Sequence, residues 1–148
     1  MNNTYSFQDV HATLVGPTGF VELGYGAGVG EEGITIEMEG DKNTMTIGSD
    51  GEGMHSLHAS KAGTITVRLL KTSPTNAKLQ AMYTAQTLSS SLHGQNLITI
   101  TNPVSGDVTT ARSCAFKKKP TISYKKDGDV MEWQFDSIKI DSILGAFQ

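Results

Sequence analysis

The chain has 148 residues, a length that fits one domain, and a hydrophobic content of 37% supports one thin core. Sixteen glycines suit an extended, turn-rich β-protein, and a net charge of −3 excludes a chain that binds nucleic acid through its overall charge. The single cysteine, Cys114, excludes an internal disulfide framework and fits a reducing compartment.

The opening stretch MNNTYSFQDV has neither a basic n-region nor an apolar h-region, so no signal peptide is expected. No apolar run approaches the roughly 20 residues of a membrane span, so no membrane anchoring is expected. Tyr5–Val15 alternates at Tyr5 and Phe7 and reads as a strand, closed by the turn GPTG at Gly16–Gly19. Leu23–Gly33 is glycine-spaced and reads as a loop. In Ile34–Glu39, Ile34, Ile36 and Met38 alternate with Thr35, Glu37 and Glu39, which predicts a strand with one apolar and one acidic face. GDKN then turns the chain into a second strand at Thr44–Gly48, and the two are expected to form a hairpin. The stretch after it, through Gly63, reads as an exposed loop or irregular strand, and Thr64–Lys71 as a strand with Ile65, Val67 and Leu69 on one face.

A helix follows. Ser73 suits the N-cap and Pro74 the first position, where its missing N–H costs nothing. The body is expected from about Thr75 to Ser89, with Leu79, Met82, Tyr83 and Gln86 as the stripe that packs on a sheet. Ala77, Ala81, Ala85 and Leu88 form a second stripe, small enough to save space inside the domain or to seat a neighbour. Strands are then expected at Leu97–Thr101, Asp107–Phe116, Thr121–Lys125 and Val130–Ile140, the last with Met131, Trp133 and Phe135 on one face. Asp127-Gly128 is the strongest short hairpin signal. About eight strands and one helix predict a mainly β domain spanning 1–148: an antiparallel sandwich or partly closed barrel with one flanking helix.

Charge is uneven. Residues 1–60 hold nine acids and one base, net −8; residues 61–148 hold eleven bases and six acids, net +5. The acidic half is either a solvated face or one of two opposite-sign surfaces that meet between copies. The lysines at 117–119 and 125–126 lack interleaved aromatics for base stacking, so solvated strand ends come first and contact with an acidic partner copy second.

Catalytic signals are weak. GYGAGVG at Gly24–Gly30 runs into Glu31, Glu32 and a strand, whereas a phosphate loop needs a following helix. His55 and His58 with Cys114 make a poor zinc set, and Cys114 in RSCAFK reads as a small buried hydrophobe. No nucleophile elbow or paired acid–base carboxylates occur, so no enzyme activity, metal or cofactor is expected.

YSFQDV, GEEGITIEMEGDKNTMTIGSDGEGMHSLHASKAGTITVRLLKTSP, HGQNLITITNP, GDVTTARSCAFKKKP and MEWQFDSIKIDSILG together resemble the tail tube proteins of contractile-tailed bacteriophages. The resemblance covers almost the whole chain as an ordered series of segments. It implies a hexameric ring, stacked head-to-tail into the inner tube of the tail, with a sheath outside and a tape measure protein and then DNA in the lumen. It also implies a place in the virion tail, reached from the host cytoplasm, and no sequence-specific nucleic-acid binding. Glu37, Glu39 and Asp41 are the expected lumen-facing residues. Asp50, Glu52, His55 and His58 mark the expected loop between subunits or rings, and Leu79, Met82 and Tyr83 the helix packing. Rival readings are another tail ring, a baseplate or tail-completion protein, a type VI secretion-like tube, a monomeric ligand-binding barrel, and a hydrolase.

Overall fold

Nine strands, one α-helix and one 3-10 turn form among the residues that the computed structural model describes, 4–24, 29–40 and 43–146, with the backbone alone at 29–32. The strands are β1 (His11–Gly16), β2 (Gly19–Glu22), β3 (Val29–Met38), β4 (Asn43–Ile47), β5 (Gly53–Leu57), β6 (Gly63–Leu70), β7 (Asn96–Asn102), β8 (Asp107–Lys118) and β9 (Val130–Ile143). Helix α1 is Thr75–Gln86. Seven strands make one antiparallel sheet in the order β2-β1-β7-β8-β9-β6-β3, and β4 and β5 pair only with each other.

The period-2 patterns put apolar side chains in register across the sheet. Ile36 faces Ile65, Ile65 faces Phe135 and Phe135 faces Phe116; on the other side Leu14 faces Ile98, Ile98 faces Ala111 and Ala111 faces Ile140. These residues share one core, with Ile36 at its partly buried edge. Seven strands laid flat would span about 29 Å, while a helix with its side chains is about 10 Å wide. One helix cannot cover that width, yet Leu14, Ile98, Ile65 and Val67 are wholly buried. The sheet must therefore cover itself.

A corner in the two longest strands does this. Val130–Ser137 of β9 pairs with β6, whereas the first part of β8 pairs with β7, so the β8–β9 hairpin belongs to two sub-sheets. At the junction the inward set changes parity. Thr109 and Ala111 are buried, then Cys114 and Phe116; Phe135 and Ser137 are buried, then Ile140. The β7–β8 register shifts between Asn96 and Ile98, and Ser113 takes φ 54°, a left-handed conformation unusual for a side chain with Cβ. A bulge of this kind bends the strand and lets it pass between packed layers. The Ser137 hydroxyl donates to the Arg112 carbonyl at 2.7 Å and braces the bend.

Helix α1 closes the core and is held at both ends by amide side chains. Ser73 Oγ accepts from the Thr75 N–H at 3.2 Å, which caps the first turn. Asn76 donates to the Leu70 carbonyl at 2.9 Å and accepts from the Trp133 indole N–H at 3.0 Å. At the other end Gln86 and Asn96 exchange two buried hydrogen bonds, 2.8 and 2.7 Å, and Gln86 also donates to Thr18 at 3.1 Å. Between them Leu79 and Met82 enter the core, and Tyr83 meets Phe116 edge-on with ring centroids 5.7 Å apart.

Several expected boundaries are corrected. Ser6 Oγ accepts from the Gln8 N–H and starts a 3-10 turn at Phe7–Asp9, so the first strand begins only at His11. The glycine-rich loop ends early, because β3 already starts at Val29 and absorbs its glycines in an irregularity before Ile34, with Gly33 at φ 62°. β3 pairs with β6, not β4, so the expected hairpin across GDKN does not form. The helix stops at Gln86 rather than Ser89, since Thr87 and the serines beyond it hydrogen-bond locally and compete with the helical ladder. Thr121–Lys125 is not a strand, and the β8–β9 connection runs over 119–129 instead of turning tightly at Asp127-Gly128. Pro120 offers no N–H to continue the ladder.

Candidate functional site

The most conspicuous surface is the β4–β5 ribbon. Asn43–Leu57, Met45–His55 and Ile47–Gly53 are cross-strand pairs and share one face; Thr44–Ser56 and Thr46–Met54 share the other. The turn at its tip is closed by Gly48 N–H to the Glu52 carbonyl at 2.6 Å, with Gly51 at φ 89°. Asp50 Oδ1 accepts from the Glu52 N–H at 3.1 Å. Asp50 and Glu52 thus stand at the tip, His55 lies midway along the ribbon, and His58 reaches Thr44 at 3.4 Å near its base. One face carries Met45, Ile47 and Leu57, which are 61%, 57% and 88% exposed. A lone two-stranded hairpin is marginal in water, and an apolar face on it is a surface for a partner.

Sequence reasoning missed this apolar face. The signal was present: Asp50-Gly51 is a hairpin dipeptide flanked by the alternating stretches TMTI and GMHSL. The glycines and serines around it made the region look like loop.

A second surface lies where the ribbon joins the sheet. Glu37, Thr64, Asp136 and Ala115 form one row across β3, β6, β9 and β8. The row borders a concavity of about 1160 Å³ that also takes in Glu39, Lys61, Lys117 and Lys139. Glu37 and Glu39 are exposed, and Asp41 lies outside the described residues. Lys61 bonds Asp141 at 3.0 Å, and this hydrogen bond holds the Asp141 carboxyl below its ordinary value. Acids and bases here are mixed, in contrast to the purely acidic face expected from β3 alone.

The third surface is the 119–129 connection. Lys117–Lys126 holds five lysines and no carboxylate. The segment is fixed by Lys71, whose N–H donates to the Asp129 carbonyl at 3.2 Å, whose ammonium donates to the Ser123 carbonyl, and whose Nζ sits 4.0 Å above the Tyr124 ring. Tyr124 is 87% exposed.

No catalytic constellation assembles from these parts. Cys114 is wholly buried at the corner, burial pushes its thiol up, and its Sγ donates to the Ala111 carbonyl at 3.3 Å, all of which favour an inert packing role. It is not grouped with His55 or His58: among the described residues no three His, Cys, Asp or Glu side chains stand together as a metal site. On the helix, Ala77 and Ala81 face solvent, with Leu79 and Met82 turned to the core; Leu88, exposed, lies beyond the helix end.

The fold has counterparts among solved structures. A chain of the PVC sheath-tube complex of an extracellular contractile injection system, in the extended state, superposes with a TM-score of 0.54 at 11% identity, covering 90% of this chain and 88% of that one. A chain of the PVC sheath/tube terminator gives 0.60 at 13% identity, covering 97% and 99%. A chain of the anti-feeding prophage baseplate gives 0.60 at 6% identity, covering 97% of each. At such identities the likeness is one of fold. No curated protein sequence matches the chain. The family model for the bacteriophage PhiTE tail tube protein matches residues 2–145. With nearly the whole length matched, and a curled antiparallel sheet with one helix as its fold, the chain belongs to the PhiTE tail tube protein family of bacteriophages.

Proposed function

We propose that the chain is a non-enzymatic structural subunit of the inner tube of a contractile tail, that six copies close into a ring, and that rings stack head-to-tail around a channel through which DNA leaves. The observation that carries this reading is the apolar, exposed β4–β5 ribbon on a domain whose core is otherwise complete. A ribbon of this kind gains its stability by docking on another copy, and head-to-tail contacts of one chain close into rings or propagate as filaments. The partners in this reading are further copies of the chain, a sheath outside, and a tape measure protein followed by DNA inside. The chain works in the virion tail after assembly in the host cytoplasm.

In the same reading, Glu37 and Glu39 face the channel, with Asp41 beside them. Lys and Arg side chains bind DNA by displacing its counterions, so a wall that DNA must pass needs its bases balanced. Glu37, Glu39 and Asp136 balance Lys61, Lys117 and Lys139 around the concavity. Replacing Glu37 and Glu39 by Lys would leave a basic wall, and ejection from assembled particles should slow in a salt-dependent way. Unchanged ejection would remove these residues from the channel.

Light scattering and negative-stain imaging of the purified chain test the whole proposal. Rings of six times the 15.8 kDa subunit, or tubes built of them, are expected. A monomer at every concentration, with no tubes, would overturn it. A second reading, a ring that terminates rather than extends the tube, draws on the likeness to the terminator and baseplate chains. Isolated rings that never stack would favour it.

A further inference from the structure

The ribbon tip and the connection beyond the Leu70 end of strand β6 differ in charge: two acids stand at the tip, against a lysine run that Asp127 and Asp129 offset in part. At Gly63 the sheet meets β3 at Met38, and the Glu39 N–H bonds the Ala62 carbonyl at 3.0 Å, so the ribbon leaves from this end. Residues 43–57 hold two charged side chains other than His, Asp50 and Glu52, both at the tip and both acidic. At the Leu70 end, β6 pairs with Val130, and Lys71 fixes the connection that carries Lys119, Lys125 and Lys126 with Asp127 and Asp129; Lys125 pairs with Asp129 at 3.0 Å, so Lys119 and Lys126 are the cations the docking uses. Lys119 and the whole of 121–129 are exposed. Seven strand steps of about 3.4 Å place the two ends of β6 about 24 Å apart.

We propose that the acidic ribbon tip of one copy docks on the lysine-rich 118–126 segment of the next, so that this contact sets the direction and register of stacking. This rests on the tube reading and names the contact within it. The argument is complementarity between the ribbon tip and the connection. Among the described residues no ion pair joins Asp50 or Glu52 to these lysines within one subunit. Between copies they can pair, in a head-to-tail arrangement that continues. Like ends repel, which excludes the reversed arrangement. Aromatic and apolar groups accompany the charges on both sides: Met45, Ile47 and Leu57 on the ribbon, Tyr124 and Ile122 on the connection. The occupant is therefore a second copy rather than a nucleic acid, for which the segment offers a single exposed aromatic ring.

Charge reversal tests the pairing. Three variants of the full chain are compared with the wild type: Asp50→Lys with Glu52→Lys; Lys119→Glu with Lys126→Glu; and all four together. All changes lie on exposed positions, and circular dichroism checks that each variant folds. Each two-site variant sets like charges against each other, and its assembled fraction in pelleting and imaging should fall about tenfold or more at low salt. The four-site variant restores opposite signs and should recover assembly. As a second measurement, wild-type cross-linking with a zero-length carboxyl–amine reagent should join Asp50 or Glu52 of one copy to a lysine within 118–126 of another. Two-site variants that assemble like the wild type, a four-site variant that stays unassembled, or cross-links confined to other positions would overturn the contact. Wild-type protein that never forms rings or tubes would instead strike the tube reading itself.

Discussion

In the curled sheet, Leu14, Ile65, Val67 and Trp133 are wholly buried, and the buried amides Asn76, Gln86 and Asn96 all have hydrogen-bond partners. In the ribbon, Met45, Ile47, Met54 and Leu57 face water, and among the described residues its two strands pair with nothing else. The first region meets the conditions for a stable domain inside one chain. The second breaks them, with apolar surface exposed and two strand edges open. A protein that had to remain a monomer would carry such a ribbon as an aggregation hazard. In the proposed tube the same ribbon would be the means of association, with its turn at Gly51 and an Asp50 hydrogen bond at its tip.

This contrast can be broken at several points. The largest loss of stability is expected at the centre of the core: Trp133→Ala removes a wholly buried ring and leaves Asn76 Oδ1 without its donor, costing about 3–5 kcal/mol. Urea unfolding should show it as a large drop in midpoint, and a small drop would mean that the core tolerates collapse around the corner. Next comes the clamp on the helix C-terminus. Gln86→Ala leaves a buried Asn96 amide unsatisfied and should cost about 1–3 kcal/mol. In a double-mutant cycle with Asn96→Ala the two losses should not add, because the second removes a group the first has already stranded. Gly16→Ala tests the same clamp from outside it. An added Cβ would fall 2.0 Å from Asn96 Oδ1, so the pair must shift, at a cost of about 1–3 kcal/mol.

The ribbon should behave in the opposite way. Replacing Met45, Ile47 and Leu57 by Ser should change monomer stability by less than about 0.5 kcal/mol, as exposed positions do. Assembly measured by light scattering should nevertheless fail. A ribbon variant that unfolds the monomer would show that the two regions are not independent.

The smallest effect is expected at the half-buried Asp141. The Lys61 hydrogen bond holds its carboxyl below 3.8, so the folded state favours the ionised form. A group whose value is lowered on folding stabilises above its unfolded value, and that contribution is lost as pH falls through the folded one. Its NMR titration should have a midpoint below 3.8, and Lys61→Ala should move the midpoint upward. No movement would mean that the ion pair does not persist in solution.

Much of this could be read from the chain before the fold was known, and the failures share one cause. The helix and the inward faces of β6 and β9 were legible, because Ser73-Pro74 and the alternation at Ile65, Val67, Trp133 and Phe135 are local signals. The pairing of β4 was not, because β3 is equally adjacent in sequence and pairs with β6 instead. Two Asp-Gly dipeptides compete as hairpin signals. Asp50-Gly51 makes the turn and Asp127-Gly128 does not, since Pro120 has already ended the β8 ladder and Lys71 draws the connection aside. The acidic face of β3 looked uniform in sequence. Its neighbours in space, Lys61, Lys117 and Lys139, come from strands and loops far along the chain.

The sequence by itself determined the class of the fold, the capped helix, which side chains turn inward along most strands, and the family, since these rest on short-range pattern and on the order of segments. Tertiary structure alone decided the corner at Ser113 and Ser137, the amide clamps on the helix, the isolation of the ribbon, and the mixing of acids and bases around the concavity. Each of these depends on which strand lies beside which. That choice is made by burial of the whole core and the closure of long loops, and no window of neighbouring residues contains it.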